Sequence, residues 1–155
     1  MTPDQKFPGF LWSGGAFIMT PFNVPNALRT VPFGINDLGQ IVGDYFDASG
    51  CCHGFLLSQG TYTKLDAPGS ILTVAEGINN AGVIVGVYLD TNFSQHGFLL
   101  KNGVYTQVDV PGSTATEINS INARGQIAGY YCTTTCNQNP PHDDDDHGFV
   151  GTPDD

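Results

Sequence analysis

The amino-acid sequence predicts an all-β fold, and three observations carry that prediction. A segment recurs every 43 residues: Gly34-Ile35-Asn36 returns as Gly77-Ile78-Asn79 and, with one change, as Ser120-Ile121-Asn122. The composition suits short strands joined by tight turns, with 20 glycines and only 13% charged residues. No stretch has a convincing helical periodicity, whereas Thr61-Tyr62-Thr63-Lys64-Leu65 alternates with the two-residue period of a half-buried strand.

The elements of one repeat follow in order. His53 to Leu57 reads as a short apolar strand, broken by Ser58-Gln59-Gly60. Thr61 to Leu65 is the second strand, closed by Asp66-Ala67-Pro68-Gly69, where Pro presets a turn and Gly accepts positive φ. Thr73 to Ile78 is the third, and Asn79-Asn80-Ala81-Gly82 turns the chain into the fourth, Val83 to Leu89. Four antiparallel strands at this period make a blade-like unit that must stack on its copies to bury its apolar face. The first copy starts at Gly9-Phe10-Leu11-Trp12 and the third at His96-Gly97-Phe98-Leu99. A lone start at His147-Gly148-Phe149-Val150 supplies the extra strand that ring closure needs.

The expected architecture is therefore a single domain, residues 1–155, folded as a small β-propeller of three four-stranded repeats with pseudo-threefold symmetry. Repeats fall at about 8–52, 53–95 and 96–146, with a closing strand at 147–151. A β-trefoil, or half of a six-bladed ring formed by a homodimer, are the alternatives.

The formal charge of −10, with five Lys and Arg, argues against nucleic acid and against docking on anionic lipid. No apolar run approaches the roughly 20 residues of a membrane helix, so no membrane insertion is expected, and no signal peptide is visible at Met1 to Lys6. The four cysteines, Cys51, Cys52, Cys132 and Cys136, allow two disulfides in three pairings. A Cys132–Cys136 bridge would imply an oxidising compartment; zinc ligation is the other reading.

The phrases His-Gly-Phe-Leu, Asp-x-Pro-Gly at Asp66 and Asp109, Gly-Ile-Asn and Gly-Gln-Ile-Val-Gly-x-Tyr resemble the HAF family of bacterial extracellular repeats, over residues 8 to 150. The resemblance implies an extracellular or periplasmic location and transfers no catalytic set. The first copy departs from the pattern, with Pro8 in the histidine position and Asn23-Val24-Pro25-Asn26 in place of Asp-x-Pro-Gly.

Three histidines, His53, His96 and His147, hold one place in the repeat. Three imidazoles around a rotation axis would ligate a metal and leave a position open for water; the plainer reading is that each pins its own loop. The run Asp143-Asp144-Asp145-Asp146 offers hard oxygen ligands suited to Ca²⁺, and otherwise reads as a solvated acidic loop. Asp66 and Asp109 are expected to cap backbone amides at their Pro-Gly turns. Asp47 and Asp90 are expected in surface turns near the histidines. Trp12 and Phe93 are candidate stacking residues, and Trp12, Tyr45, Tyr88 and Tyr131 are the expected substrate-binding aromatics, although the three tyrosines also suit a core or unit interface. No nucleophile elbow, P-loop or dinucleotide fingerprint is present.

Two functions fit. The preferred expectation is a hydrolase, of lactonase type, acting on a small neutral ester or lactone. It would depend on Ca²⁺ or Zn²⁺, with His53, His96 and His147 as ligands or general bases. The alternative is a non-catalytic surface module that binds a glycan or a protein partner.

Overall fold

The computed structural model describes residues 9–134 and 146–152. These form an all-β fold of thirteen strands with no helix, dominated by two curled sheets, one of them a half-barrel. Strands β1 (Gly9–Ser13) and β2 (Ala16–Phe22) pair with each other as a hairpin. Strands β3 (Arg29–Ile35), β4 (Ile41–Phe46), β5 (Cys52–Ser58) and β6 (Thr61–Leu65) form an antiparallel sheet in chain order. The same pairing recurs in β7 (Ser70–Ile78), β8 (Ile84–Asp90), β9 (Gln95–Lys101) and β10 (Val104–Val108). Its first three strands recur again as β11 (Ala115–Ile121), β12 (Ile127–Cys132) and β13 (Asp146–Gly151). One parallel pair, Ala115 with Gln95, links the last two groups into a single sheet. Units 1, 2 and 3 below are β3–β6, β7–β10 and β11–β13, so each unit begins at the Gly-Ile-Asn strand and carries the His-Gly-Phe strand third.

The repeated phrases have local physical reasons. Asn79 folds its side chain into the turn after β7, where its Oδ1 accepts the amides of Ala81 and Val83 at 3.1 and 3.0 Å. Gly82 closes that turn at φ 76°, a left-handed conformation that glycine adopts without steric cost. Asn36 and Asn122 do the same in the other units. The glycine of Gly-x-Tyr is fixed by contact instead. A Cβ on Gly86 would stand 2.0 Å from the Val74 carbonyl oxygen and 2.9 Å from the Phe98 ring. A bulge between Ala75 and Gly77 on the facing strand brings that carbonyl close.

The core lies between units. Val42, Leu65 and Ala67 of unit 1 pack against Ala75, Ile78, Ile84, Tyr88, Phe98 and Leu100 of unit 2. One period on, Val85, Leu99 and Val108 pack against Ile118, Ile121, Ile127 and Phe149 of unit 3. Burying a side chain such as Phe98 contributes about 1.5–3 kcal/mol, so each unit depends on its neighbour for much of its stability. Where the first strands of successive units meet, Asn36 Nδ2 donates to the Asn79 carbonyl at 3.0 Å and Asn79 Nδ2 to the Asn122 carbonyl at 3.2 Å.

Cys132 is disulfide-bonded, while Cys51 and Cys52 carry free thiols. Cys136, His142 and the Asp143–Asp145 run lie outside the described residues.

Candidate functional site

Each repeated histidine sits across a strand pair from its repeated tyrosine: Tyr45 opposite His53, Tyr88 opposite His96, Tyr131 opposite His147. The rings lie 5.3, 5.2 and 5.1 Å apart, tilted by 39°, 36° and 36°. Cross-strand partners on one face are close enough for such contacts, so the tyrosine and histidine positions are coupled through the pairing register.

Two aspartates then clamp the histidine in units 1 and 2. His53 Nδ1 meets Asp66 Oδ1 at 2.9 Å and Nε2 meets Asp47 Oδ2 at 3.3 Å. His96 Nδ1 meets Asp109 Oδ2 at 2.8 Å, with Asp90 Oδ2 3.7 Å from Nε2. Asp47 and Asp90 are turn residues, as expected, and also cap amides: Asp47 Oδ1 accepts from Ser49 N and Cys51 N, Asp90 Oδ1 from Asn92 N and Ser94 N. The Ser49 hydroxyl and then the Cys51 amide hold the Asp47 carboxyl well below the usual range.

Asp66 and Asp109 differ from their expected role as amide caps. A threonine does that work, Thr73 Oγ1 accepting the Ala67 amide and Thr116 Oγ1 the Val110 amide, both at 3.1 Å. The aspartates are thereby left to face the imidazoles. Among the described residues unit 3 shows no matching clamp: Thr133 stands where Asp47 and Asp90 stand, and His147 is exposed. Among the described residues, no group of three or more His, Cys, Asp or Glu side chains is gathered as metal ligands. His53 and His96 are each bonded within their own unit.

Beside the unit 1 clamp lies an open cleft of about 460 Å³. Val24 and Pro25 form one wall, and Thr61, Tyr62, Thr63 and Lys64 of β6 the other, with Tyr45 and Phe55 also lining it. Tyr62 packs edge-on against Phe55, ring centroids 5.8 Å apart. Its phenolic oxygen is shut from solvent and has no hydrogen-bond partner among the described residues. Burial pushes the Tyr62 pKa up, consistent with a neutral phenol at any ordinary pH. Lys64 does not offer a free charge, because its Nζ lies 2.8 Å from Asp66 Oδ2.

Unit 2 has the same strands but ties its aromatic down. Gln107 stands in the place of Lys64; its Oε1 accepts the Tyr88 hydroxyl at 2.7 Å while its Nε2 donates to Asp109 at 2.6 Å. Tyr88 is accordingly buried and Tyr45 only half-buried.

The structure thus pairs Tyr45, which lines the cleft, with His53, places Tyr88 with His96 and Tyr131 with His147 in their own units, and leaves Trp12 exposed on β1. Sequence reasoning missed Tyr62 and Lys64; the alternation of β6 was visible, but not that its tyrosine hydroxyl is stranded. The buried Cys52 is a poor nucleophile, its thiol pushed up to about 12 by burial and by the Asp44 charge 3.4 Å away.

Compared with protein-family models, with curated proteins and with solved structures, the chain has no match in any of the three.

Proposed function

We propose that the chain is a non-catalytic binding module built from β-propeller-type blades, and that the unit 1 cleft takes a neutral glycan. One observation carries the reading: the rings of Tyr45, Phe55 and Tyr62 line an open cleft beside Thr61 and Thr63. A sugar offers what suits such a site, C–H faces that pack on rings and hydroxyls that bond the exposed threonines. Anions are disfavoured, because Lys64 is already engaged by Asp66 and the formal charge of the chain is −10. The clamp favours binding over catalysis, since both nitrogens of His53 face carboxylates of their own unit. The Cys132 disulfide supports an extracellular or periplasmic setting.

The test is calorimetric titration with a panel of neutral oligosaccharides. Saturable binding that is lost in Tyr62→Ala and weakened in Tyr45→Ala is the expected result. No binding up to about 10 mM, a free energy of roughly 3 kcal/mol, would sink the reading. Turnover of an ester or lactone that depends on His53, with or without added Ca²⁺ or Zn²⁺, would replace it with the hydrolase.

A further inference from the structure

Each internal interface joins the same two faces. The forward face of unit 1 (Val42, Leu56) covers the rear face of unit 2 (Ile78, Ile84), and the forward face of unit 2 (Val85, Leu99) covers the rear face of unit 3 (Ile121, Ile127). The chain therefore ends with two faces that no other unit covers, the forward side of unit 3 and the rear of unit 1, where Val24 and Ala27 pack on Ile41 and Phe55 but leave the β3 end open. Their exposed residues are those whose counterparts are covered elsewhere. Ile35 is 53% exposed where Ile78 is 7% exposed. Val150 is 78% exposed where Leu56 and Leu99 are half-buried.

The asparagine ladder has matching free ends. Among the described residues the Asn36 carbonyl accepts only the Gly39 amide, whereas the Asn79 carbonyl accepts both Gly82 N and Asn36 Nδ2. At the other end Asn122 Nδ2 donates to Gln126 Oε1 alone, whereas Asn36 Nδ2 donates to Gln40 Oε1 and onward to Asn79. One end lacks a donor and the other an acceptor.

We propose that a second copy of this chain docks on these two faces, unit 3 of each copy against unit 1 of the other, closing a ring of six units about a twofold axis. The continuing interface is the one already repeated twice within the chain, which is why the partner is a copy and not an unrelated protein. Where Gly77 lets units 2 and 3 approach, with Ser120 Cα 3.3 Å from a Cβ position on Gly77, unit 3 carries Ser120. The contact between copies is thus a few tenths of an ångström wider at that point. The glycan cleft is lined by Tyr45, Phe55 and Tyr62, whose counterparts Tyr88, Phe98 and Tyr105 pack at the unit 1–unit 2 interface, so it lies on the same rear face, toward β6, and the ligand and the second copy meet on one face of unit 1.

Sedimentation equilibrium of the full chain tests the proposal. The wild type is expected at twice the 16.5 kDa chain mass at micromolar concentration. Ile35→Asp and Val150→Asp each place a charge at both contacts of the ring and are expected to weaken pairing by about tenfold or more. Val104→Asp, at an exposed site on β10 away from both faces, leaves pairing unchanged. Mixing Ile35→Asp with Val150→Asp restores one intact contact per pair, and so restores dimer that neither variant forms alone. Far-UV circular dichroism confirms that each variant is folded. A wild type that stays monomeric, a dimer indifferent to both substitutions, failure of the mixture to recover, or open-ended larger species would each overturn the proposal.

Discussion

Replacing Tyr62 with phenylalanine removes one oxygen and keeps the ring. That oxygen is closed off from solvent and unpartnered among the described residues, and a hydroxyl stranded in this way costs about 1–3 kcal/mol relative to its hydrated state. The ring's edge-on contact with Phe55, at 64° between planes, does not need the hydroxyl. Tyr62→Phe is therefore expected to raise the unfolding free energy by about 1–2 kcal/mol, which for a chain of this size raises the melting midpoint by roughly 2–8 °C. Urea titration followed by far-UV circular dichroism measures it, with the slope expected unchanged because the same surface is exposed. Glycan affinity should be unchanged, because a hydroxyl closed to solvent is closed to a sugar as well. A gain in stability at unchanged affinity is a combination that general loosening of the fold does not produce. A Tyr62→Phe variant less stable than the wild type would refute the reasoning, because it would mean that the hydroxyl is satisfied within the protein.

Phe93 takes the left-handed position, φ 63°, of a loop whose counterpart in unit 1 is Gly50, and its side chain is 76% exposed. Phe93→Gly is expected to stabilise by about 0.5–1 kcal/mol in thermal melting, the backbone relief outweighing glycine's extra freedom in the unfolded chain; a lower midpoint would show that the exposed ring packs usefully. Glu76 is pushed up to about 7 by burial first, then by the Glu117 and Asp44 charges, from an ordinary 4.5. The folded state holds that proton more tightly than the unfolded state, so the Glu76 contribution favours folding below pH 4.5 and declines as pH rises through 7. Glu76→Gln should flatten that decline and raise stability at alkaline pH, and unchanged pH dependence in denaturant titrations would contradict the assignment.

The strands and turns were legible because the same side chains both mark and build them. Asn79 is a turn residue in the sequence and the turn's hydrogen-bond acceptor in the fold. Gly86 is a repeated letter in the sequence, and its necessity is the carbonyl that a Cβ would strike. Which strand opens a unit was not legible, since a periodic sequence can be cut anywhere and only the pairing of β3 with β4 and of β7 with β8 sets the phase. The histidine clamp was half legible. Asp47, His53 and Asp66 recur in register with Asp90, His96 and Asp109, yet the exchange of roles between aspartate and threonine depends on where Thr73 and Thr116 direct their hydroxyls. The cleft was not legible at all, because it opens where unit 1 lacks the packing that Val42, Leu65 and Ala67 give to the same face of unit 2, and a repeated phrase does not show which copy is left uncovered.

The interfaces between units give the chain a one-dimensional stability. Packing runs from unit 1 to unit 2 and from unit 2 to unit 3, so each unit is held only by its immediate neighbours, as in other stacked repeats. Within a single chain taken without its partner, unit 2 packs on other units at both faces and the outer units at one each. The same loss of a methylene is therefore felt across two junctions in the middle and one at either end. Loosening then begins at the termini and travels inward, and the slowest-exchanging amides belong to β7 and β8, where the chain's symmetry gives the most shelter.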